Sequence, residues 1–439
     1  MIGRHSAPSI PRPATSLAGC APIDVARSLQ HLDSLVFFDT SGNLPSGHEH
    51  PLSIIAARPH AVIRGSIHQA GDLATLTATL RKHNASSAPD CGMPAGGLCG
   101  WIDYEGGFVF GDFPEMLVFR HQDGTWWETG NLSDHRMDPT PQAAATISPM
   151  RARHDRQWFL DGVHRIREWI RAGDIYQVNL SHAFDADVRG GSLFGLYEIL
   201  REVSPAPMAA WLSLAGIEVL SSSPETFLKF SGRAVETRPI KGTRPRFADP
   251  DDDMRAAYEL QTSPKEAAEL VMITDLLRND LGRVCEIGSV EVAEMLRLES
   301  LGQVHHLVST VTGRLRHDVS QVEAMAASFP GGSITGAPKK RAIEIIHELE
   351  GDARGIYCGA IGWFGYHGES AFNIAIRTLV RDGNRLRYQV GAGIVADSDP
   401  AMEYEETLHK AAGMELAIQR YSAGSPKQKP LARTAWGEI

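Results

Sequence analysis

The grouping of strand candidates constrains this chain most. Tyr176, Val178, Leu180, His182 and Phe184 alternate with Gln177, Asn179 and Ser181, the period-two pattern of a half-buried strand. Further candidates run over Ile217–Ser221, Thr226–Phe230, Ala234–Pro239, Val304–Gly313, Ala360–Phe364, Ser370–Arg381 and Arg385–Ile394. Ser231-Gly232 and Asp382-Gly383 supply hairpin turns between neighbours. Strands joined in this way do not follow strict βαβ alternation, so the pattern points to an α+β fold with largely antiparallel sheet. Phe159, Val163, Ile166 and Ile170 share one helical face, which Gly173 ends. Further helices are expected over 264–280, 319–328, 338–350 and 400–421.

At roughly 150 residues per domain, 439 residues allow one large unit or up to three small ones. Hydrophobic residues at 43% and charged residues at 22% are ordinary globular values, which excludes a disordered or fibrous chain. Residues 1–20, rich in Pro, Ser and Ala, are expected to be poorly ordered. Residues 21–150 form an N-terminal region of short strands and a few helices, and the polar, Pro-bearing stretch 132–153 is its linker candidate. The main region runs over 155–422, with a tail at 423–439. A net charge of −10 argues against a general nucleic-acid binder. Five scattered cysteines without a CxxC pair suit a reducing compartment. No apolar run reaches the length of a membrane span, and Leu17-Ala18-Gly19-Cys20 lacks the apolar segment of a lipoprotein signal, so the expected location is cytoplasmic.

Four segments carry chemistry. Glu266 and Glu269 lie three apart at the start of one expected helix, and Glu403 and Glu406 repeat that spacing at the start of another. Each pair shares a helical face, and two such faces make an oxygen site suited to magnesium. Ser263, Pro264 and Glu266 also fit a capping box, and the second pair also fits a solvated face. The run Gly331-Gly332-Ser333-Ile334-Thr335-Gly336-Ala337-Pro338-Lys339 has phosphate-loop glycine spacing but lacks the Lys-Ser/Thr that such a loop requires, so it reads as an anion cradle or a plain glycine turn. Gly391-Ala392-Gly393 is a glycine-rich strand end, either a bulge or a close approach to a ligand. Lys241 stands between Ile240 and Gly242 at a strand-to-loop step. An exposed lysine there is unremarkable, whereas burial would free its amine as a nucleophile.

Read in order, these segments resemble a known family. Ile175-Tyr176-Gln177-Val178-Asn179-Leu180 is followed by Ser223-Pro224-Glu225-Thr226-Phe227, Pro239-Ile240-Lys241-Gly242-Thr243-Arg244 and Asp275-Leu276-Leu277-Arg278-Asn279-Asp280. His306-Leu307, Gly336-Ala337-Pro338-Lys339, Asn373-Ile374-Ala375-Ile376-Arg377-Thr378, Gly391-Ala392-Gly393 and Glu403-Tyr404-Glu405-Glu406 complete the series. This resembles the chorismate-utilising enzymes, which include anthranilate synthase component I, aminodeoxychorismate synthase component I, isochorismate synthase and salicylate synthase. The resemblance runs from about residue 155 to 422, every motif in family order.

It implies two large, mainly antiparallel sheets packed as a sandwich with helices outside and a cleft between them. It implies Glu225 as the acid that protonates a departing hydroxyl, and magnesium at Glu266, Glu269, Glu403 and Glu406, with Glu269 and Glu406 the direct ligands. Arg377 and Tyr357 correspond to positions holding the substrate carboxylate, and Gly391, Ala392 and Gly393 would offer backbone N–H groups. His306 corresponds to the family's active-site histidine, Ser333 stands where many relatives have threonine, and Lys410 follows the last acidic pair and balances its charge. For Tyr357 and Ser333, packing or turn roles stay open. Anthranilate synthases usually carry alanine where this chain has Lys241, and lysine there resembles the aminodeoxychorismate branch, with a covalent lysine adduct. Leu270 departs from a common family asparagine. No stretch reads as an amidotransferase, so a separate glutamine amidotransferase subunit is expected to deliver ammonia to chorismate.

Overall fold

The computed structural model describes residues 10–41, 51–83, 92–138, 144–302 and 304–424. Among them the strands form one thirteen-stranded and one ten-stranded sheet. In the first, Val36–Asp39 lies beside Met208–Leu214, then come Ile217–Ser223, Thr378–Asp382, Arg385–Ile394 and Gln177–Arg189. In the second, Ile240–Pro245 leads through Val304–Arg314, Ala234–Arg238, Thr226–Ser231, Glu369–Ile374 and Ala360–Gly365 to Gly97–Ile102. Neighbours pair antiparallel, as the hairpin grouping predicts. Each sheet takes strands from both sides of residue 150, since Val36–Asp39 pairs with Met208–Leu214 and Gly97–Ile102 with Ala360–Gly365.

Period-two alternation decides what each face meets. Val36 and Phe38 join Leu212, Val219, Cys99, Trp101, Ile361 and Trp363 in one apolar cluster between the sheets. Phe37, pointing the other way, packs with Phe194, Tyr197 and Met414 of two helices, Phe194–Val203 and Pro400–Ser422. The first sheet is therefore buried on both faces, and the helices lie outside. The helix Arg156–Ala172 ends on Gly173 in the left-handed conformation, as read from the sequence. Helices Pro264–Gly282, Gln321–Ser328, Lys339–Glu350 and Pro400–Ser422 also lie where expected.

Four expectations need correction. Residues 10–20 are packed rather than loose: Arg12–Pro13 pairs with Thr125–Thr129, and Leu17 is fully buried; residues 1–9 lie outside the described residues, as do 425–439 of the expected tail. In the 132–153 stretch, of which 139–143 lie outside the described residues, the described parts are not a free linker. Leu132 is buried, and Thr146–Ile147 and Arg151–Ala152 pair with Gln177–Arg189 as short edge strands, where polar side chains and Pro are tolerated. The expected strand Ser370–Arg381 is two strands, because the chain leaves the second sheet after Ile374 and enters the first at Thr378. Finally, Lys241 lies inside a strand, not at its end. The helix Phe194–Val203 was not among the expected elements, although it buries Phe194, Leu196, Tyr197, Ile199 and Leu200 and carries Glu198, Arg201 and Glu202 on its other face.

Phe372 is fully buried, 4.5 Å from the Phe364 ring and 6.2 Å from Phe110. Phe372→Ala is expected to cost about 3–5 kcal/mol, read as a lower urea midpoint at unchanged slope.

Candidate active site

Two chain crossings between the sheets build the floor of the site. Ser223 ends a strand of the first sheet and Thr226 begins one of the second, so Glu225 sits in the crossing. Residues 375–377 cross in the opposite direction. The crossings are stitched together: Ile374 N–H donates to the Glu225 carbonyl (3.1 Å), Ser223 Oγ to the Ile374 carbonyl (2.6 Å) and Ser222 N–H to the Arg377 carbonyl (3.1 Å). Arg377 is held at φ +50°, strained for a residue with a Cβ. Its guanidinium has no hydrogen-bond or ion-pair partner among the described residues.

Glu225 is 6% exposed. Burial pushes its carboxyl up to about 7, although a 2.7 Å hydrogen bond donated by Ser333 Oγ and the nearby Lys241 charge pull the other way. Ser333 lies in a short 3-10 turn, Gly332–Ile334, followed by Gly336–Ala337 paired against Gln177 and Val178. Gly336 has φ +145°, and a Cβ there would collide with the Gln177 carbonyl. The glycine run is thus a tight turn that aims a hydroxyl at Glu225, and Lys339 beyond it pairs with Asp280 at 2.5 Å.

Lys241 lies on Ile240–Pro245, an outer strand of the second sheet. Lys241 opposes Leu307 and Thr243 opposes His306, so Gly242, at φ +70°, is the extra residue of a bulge. The bulge brings the Gly242 carbonyl and the Thr243 hydroxyl within 3.2 and 3.1 Å of His306 Nδ1. A proton on Nδ1 satisfies the carbonyl and leaves Nε2 a bare acceptor, buried and without a partner. Burial, helped by the Arg377 charge, lowers the ring to about 4, so His306 is neutral at physiological pH. Lys241 Nζ is 3.7 Å from Glu269 Oε2, and a Cβ added to Gly393 would lie 3.4 Å from that amine. The Gly391-Ala392-Gly393 strand end therefore runs beside the lysine.

Two residues of this region were missed in the sequence. Both amide atoms of Gln177 and Nδ2 of Asn179 are buried without a partner, on the strand face shared with Gly393. Their polarity was read as the wet side of a strand. Alternation alone cannot tell solvent from a polar cleft. Tyr357 is buried, with Arg354 5.9 Å from its ring centroid, so packing is the role seen for it. Lys410 Nζ donates to the Gly391 carbonyl at 2.9 Å and pairs with Glu406 at 2.7 Å, linking the acidic helix to the glycine strand.

The four glutamates open their two helices as expected, but each faces a cation: Glu266 faces Arg244 at 3.8 Å, Glu269 Lys241 at 3.7 Å, Glu403 Lys265 at 3.6 Å and Glu406 Lys410 at 2.7 Å. Among the described residues no three His, Cys, Asp or Glu side chains converge as a ready-made metal cage. The carboxylates nonetheless sense one another. Burial first, then the Glu269 and Glu406 charges, raises Glu266, and burial with Glu406 raises Glu403. Such an all-oxygen, mutually repelling set fits a hard divalent cation in its chemistry.

The sequence matches the model of the chorismate binding enzymes over residues 49–415. This chain belongs to that family. It is 40% identical to anthranilate synthase component 1 of Streptomyces coelicolor over 404 residues, 80% of this chain and 78% of that one. It is 49% identical to the aminodeoxychorismate synthase of Streptomyces griseus over 278 residues, 63% of this chain but only 38% of that relative's length. The crystal structure of anthranilate synthase component I from Streptococcus pneumoniae TIGR4 superposes with a TM-score of 0.73 at 28% identity, covering 85% of this chain and 93% of that one. The two-sheet fold is thus that of the chorismate binding enzymes, and no described helix is long and apolar enough to cross a membrane.

The elevated Glu225 makes a stability prediction. From its ordinary 4.5 up to about 7, the folded protein keeps a proton that the unfolded chain has lost. Stability from this group therefore falls as pH rises through that window and stays low above it. Glu225→Gln is expected to raise Tm over wild type more at pH 8 than at pH 4.5; an equal difference at both pH values would mean that Glu225 ionises freely.

Proposed function

We propose that this chain is an aminodeoxychorismate synthase component I. It converts chorismate and ammonia to 4-amino-4-deoxychorismate, the precursor of 4-aminobenzoate in folate synthesis, with ammonia supplied by a separate glutamine amidotransferase subunit in the cytoplasm. The observation that carries this reading is Lys241, whose amine lies beside Gly393 on the same cleft as Glu225. The four unpaired described cysteines, Cys20, Cys99, Cys285 and Cys358, agree with a reducing compartment; Cys91 lies outside the described residues. Amination at carbon 2 to give anthranilate is the second reading, favoured by the long match to the Streptomyces coelicolor enzyme.

The chemistry starts from a poor leaving group, the hydroxyl on carbon 4 of chorismate. Glu225, held protonated near neutrality, donates its proton to that oxygen as the bond breaks. Only the unprotonated form of the Lys241 amine can form the bond to carbon 2; as it does so, both ring double bonds shift and water departs. Ammonia then bonds to carbon 4, the double bonds shift back, the lysine–carbon bond breaks, and a proton from the added nitrogen returns to Glu225. Two substitutions replace one difficult step. Arg377, free of protein partners, takes a substrate carboxylate in a bidentate pair. His306 Nε2, a bare acceptor, takes a substrate hydroxyl. Glu266, Glu269, Glu403 and Glu406 would hold magnesium, which supplies positive charge that draws electron density from the ring.

The deciding experiment is product identification after incubating the protein with chorismate, magnesium and an ammonium salt. Formation of 4-aminobenzoate on adding a lyase supports the reading, and anthranilate overturns it. Lys241→Ala is expected to slow amination at carbon 4 by roughly 100-fold or more, the scale of one lost catalytic group; unchanged turnover would remove its covalent role. Glu269→Ala and Glu406→Ala are expected to keep the wild-type circular dichroism while calorimetry shows weakened magnesium binding. Wild-type magnesium affinity in either variant would reassign the ligands.

A further inference from the structure

Arg354 lies outside every role assigned above, yet it is 3% exposed and charged. Its guanidinium donates to both Glu350 oxygens (2.7 and 2.8 Å), to the Ile334 carbonyl (3.0 Å) and to the Asn179 carbonyl (2.7 Å). It also lies over the Tyr104 ring at 4.6 Å. Glu350 in turn accepts from Ser181 N–H and Oγ, both at 2.9 Å. Burying such a pair stabilises a protein little by itself, since desolvation offsets most of the attraction. Its connections are more telling: one acceptor adjoins Ser333, the donor to Glu225, and another belongs to Asn179, the register partner of Gly393.

We propose that Arg354 is a positioning residue of the reaction centre. Through the Ile334 carbonyl it fixes the turn that aims Ser333 at Glu225, and through the Asn179 carbonyl it fixes the strand edge beside Gly393. A planar fork with several donors reaches Glu350, Ile334 and Asn179 at once; an ammonium on a flexible stem cannot. The role rests on the chorismate chemistry proposed above, but not on which product forms.

The test compares Arg354→Lys, Ser333→Ala and the double variant in the full chain. Arg354→Lys keeps a charge opposite Glu350, so the buried carboxylate stays paired. The readouts are chorismate consumption, whatever the product, and backbone hydrogen exchange of segments 332–336 and 177–180. Arg354→Lys is expected to lower kcat about tenfold or more with less change in chorismate KM, and to speed exchange in both segments. Ser333→Ala is expected to add little in the Arg354→Lys background, because both act through one hydrogen bond to Glu225. Wild-type kcat and exchange in Arg354→Lys, or full additivity with Ser333→Ala, would overturn the proposal. A wild-type protein that consumes no chorismate would instead overturn the functional reading, while the exchange measurement would still decide whether Arg354 holds the two segments. Should Arg354→Lys fail to fold, Glu350→Gln loosens the same fork, with the same results expected and the same ones excluding.

Discussion

The site depends on the place where the chain twice changes sheets. Glu225 and Arg377 occupy the two crossings, and three hydrogen bonds between the crossings hold them side by side. The apolar layer between the sheets continues up to the crossings, where Ile374 and Ala375 are buried beside Glu225. This geometry forces two unlike charged groups into poorly solvated positions. The carboxyl responds by keeping its proton toward neutrality. The guanidinium stays charged, which is what the proposed pairing with a substrate carboxylate would need. The strained backbone of Arg377 is a cost of the crossing that the surrounding sheet structure over-determines.

Around this floor the charges are arranged by pairing. Each glutamate of the two acidic helix starts has its own lysine or arginine, with Lys241 on a strand and Lys410 on the second acidic helix. A cluster of carboxylates without counter-charges would repel itself. One of these pairs, Lys265 with Glu403, links the two helix starts, and two others, Arg244 with Glu266 and Lys241 with Glu269, tie the first helix to the strand Ile240–Pro245. With Lys241 tied to Glu269, the amine and the acidic set are one electrostatic unit, coupled again through Lys410 to the Gly391 carbonyl.

Much of this was legible in the sequence, for identifiable reasons. Helix starts at Pro264 and Pro400, with Ser263 and Asp399 as caps, follow from local chemistry, and so do the hairpin turns at Gly232 and Gly383. Lys241 and Gly391-Ala392-Gly393 stood out locally but ambiguously, whereas Glu225 and His306 were reachable only as members of a set in order. What failed was non-local. A break at residues 375–377 is invisible when the apolar pattern continues through it, because both strands are buried and only the sheet they belong to changes. Gln177 and Asn179 were assigned to water because alternation reports a polar face, not what that face meets. The i,i+4 spacing of Glu350 and Arg354 is in sequence no different from that of a surface pair, so their burial was not legible.

The two functional readings differ at one strand position, and the fold explains why one position is enough. Under either proposed reading Glu225, the glycine strand end and the acidic helices would act on the ring in the same way, and relatives of both kinds share extensive sequence with this chain. Lys241 is different because of where the bulge at Gly242 sits. An outer strand of a sheet lacks a second neighbour to enforce its register, so one extra residue can turn it locally without disturbing the core. A small residue at 241 would leave open space beside Gly393, where water or ammonia can approach one side of the ring. In the reaction proposed above, a lysine would fill that space with a nucleophile of its own and leave carbon 4 as the centre open to ammonia.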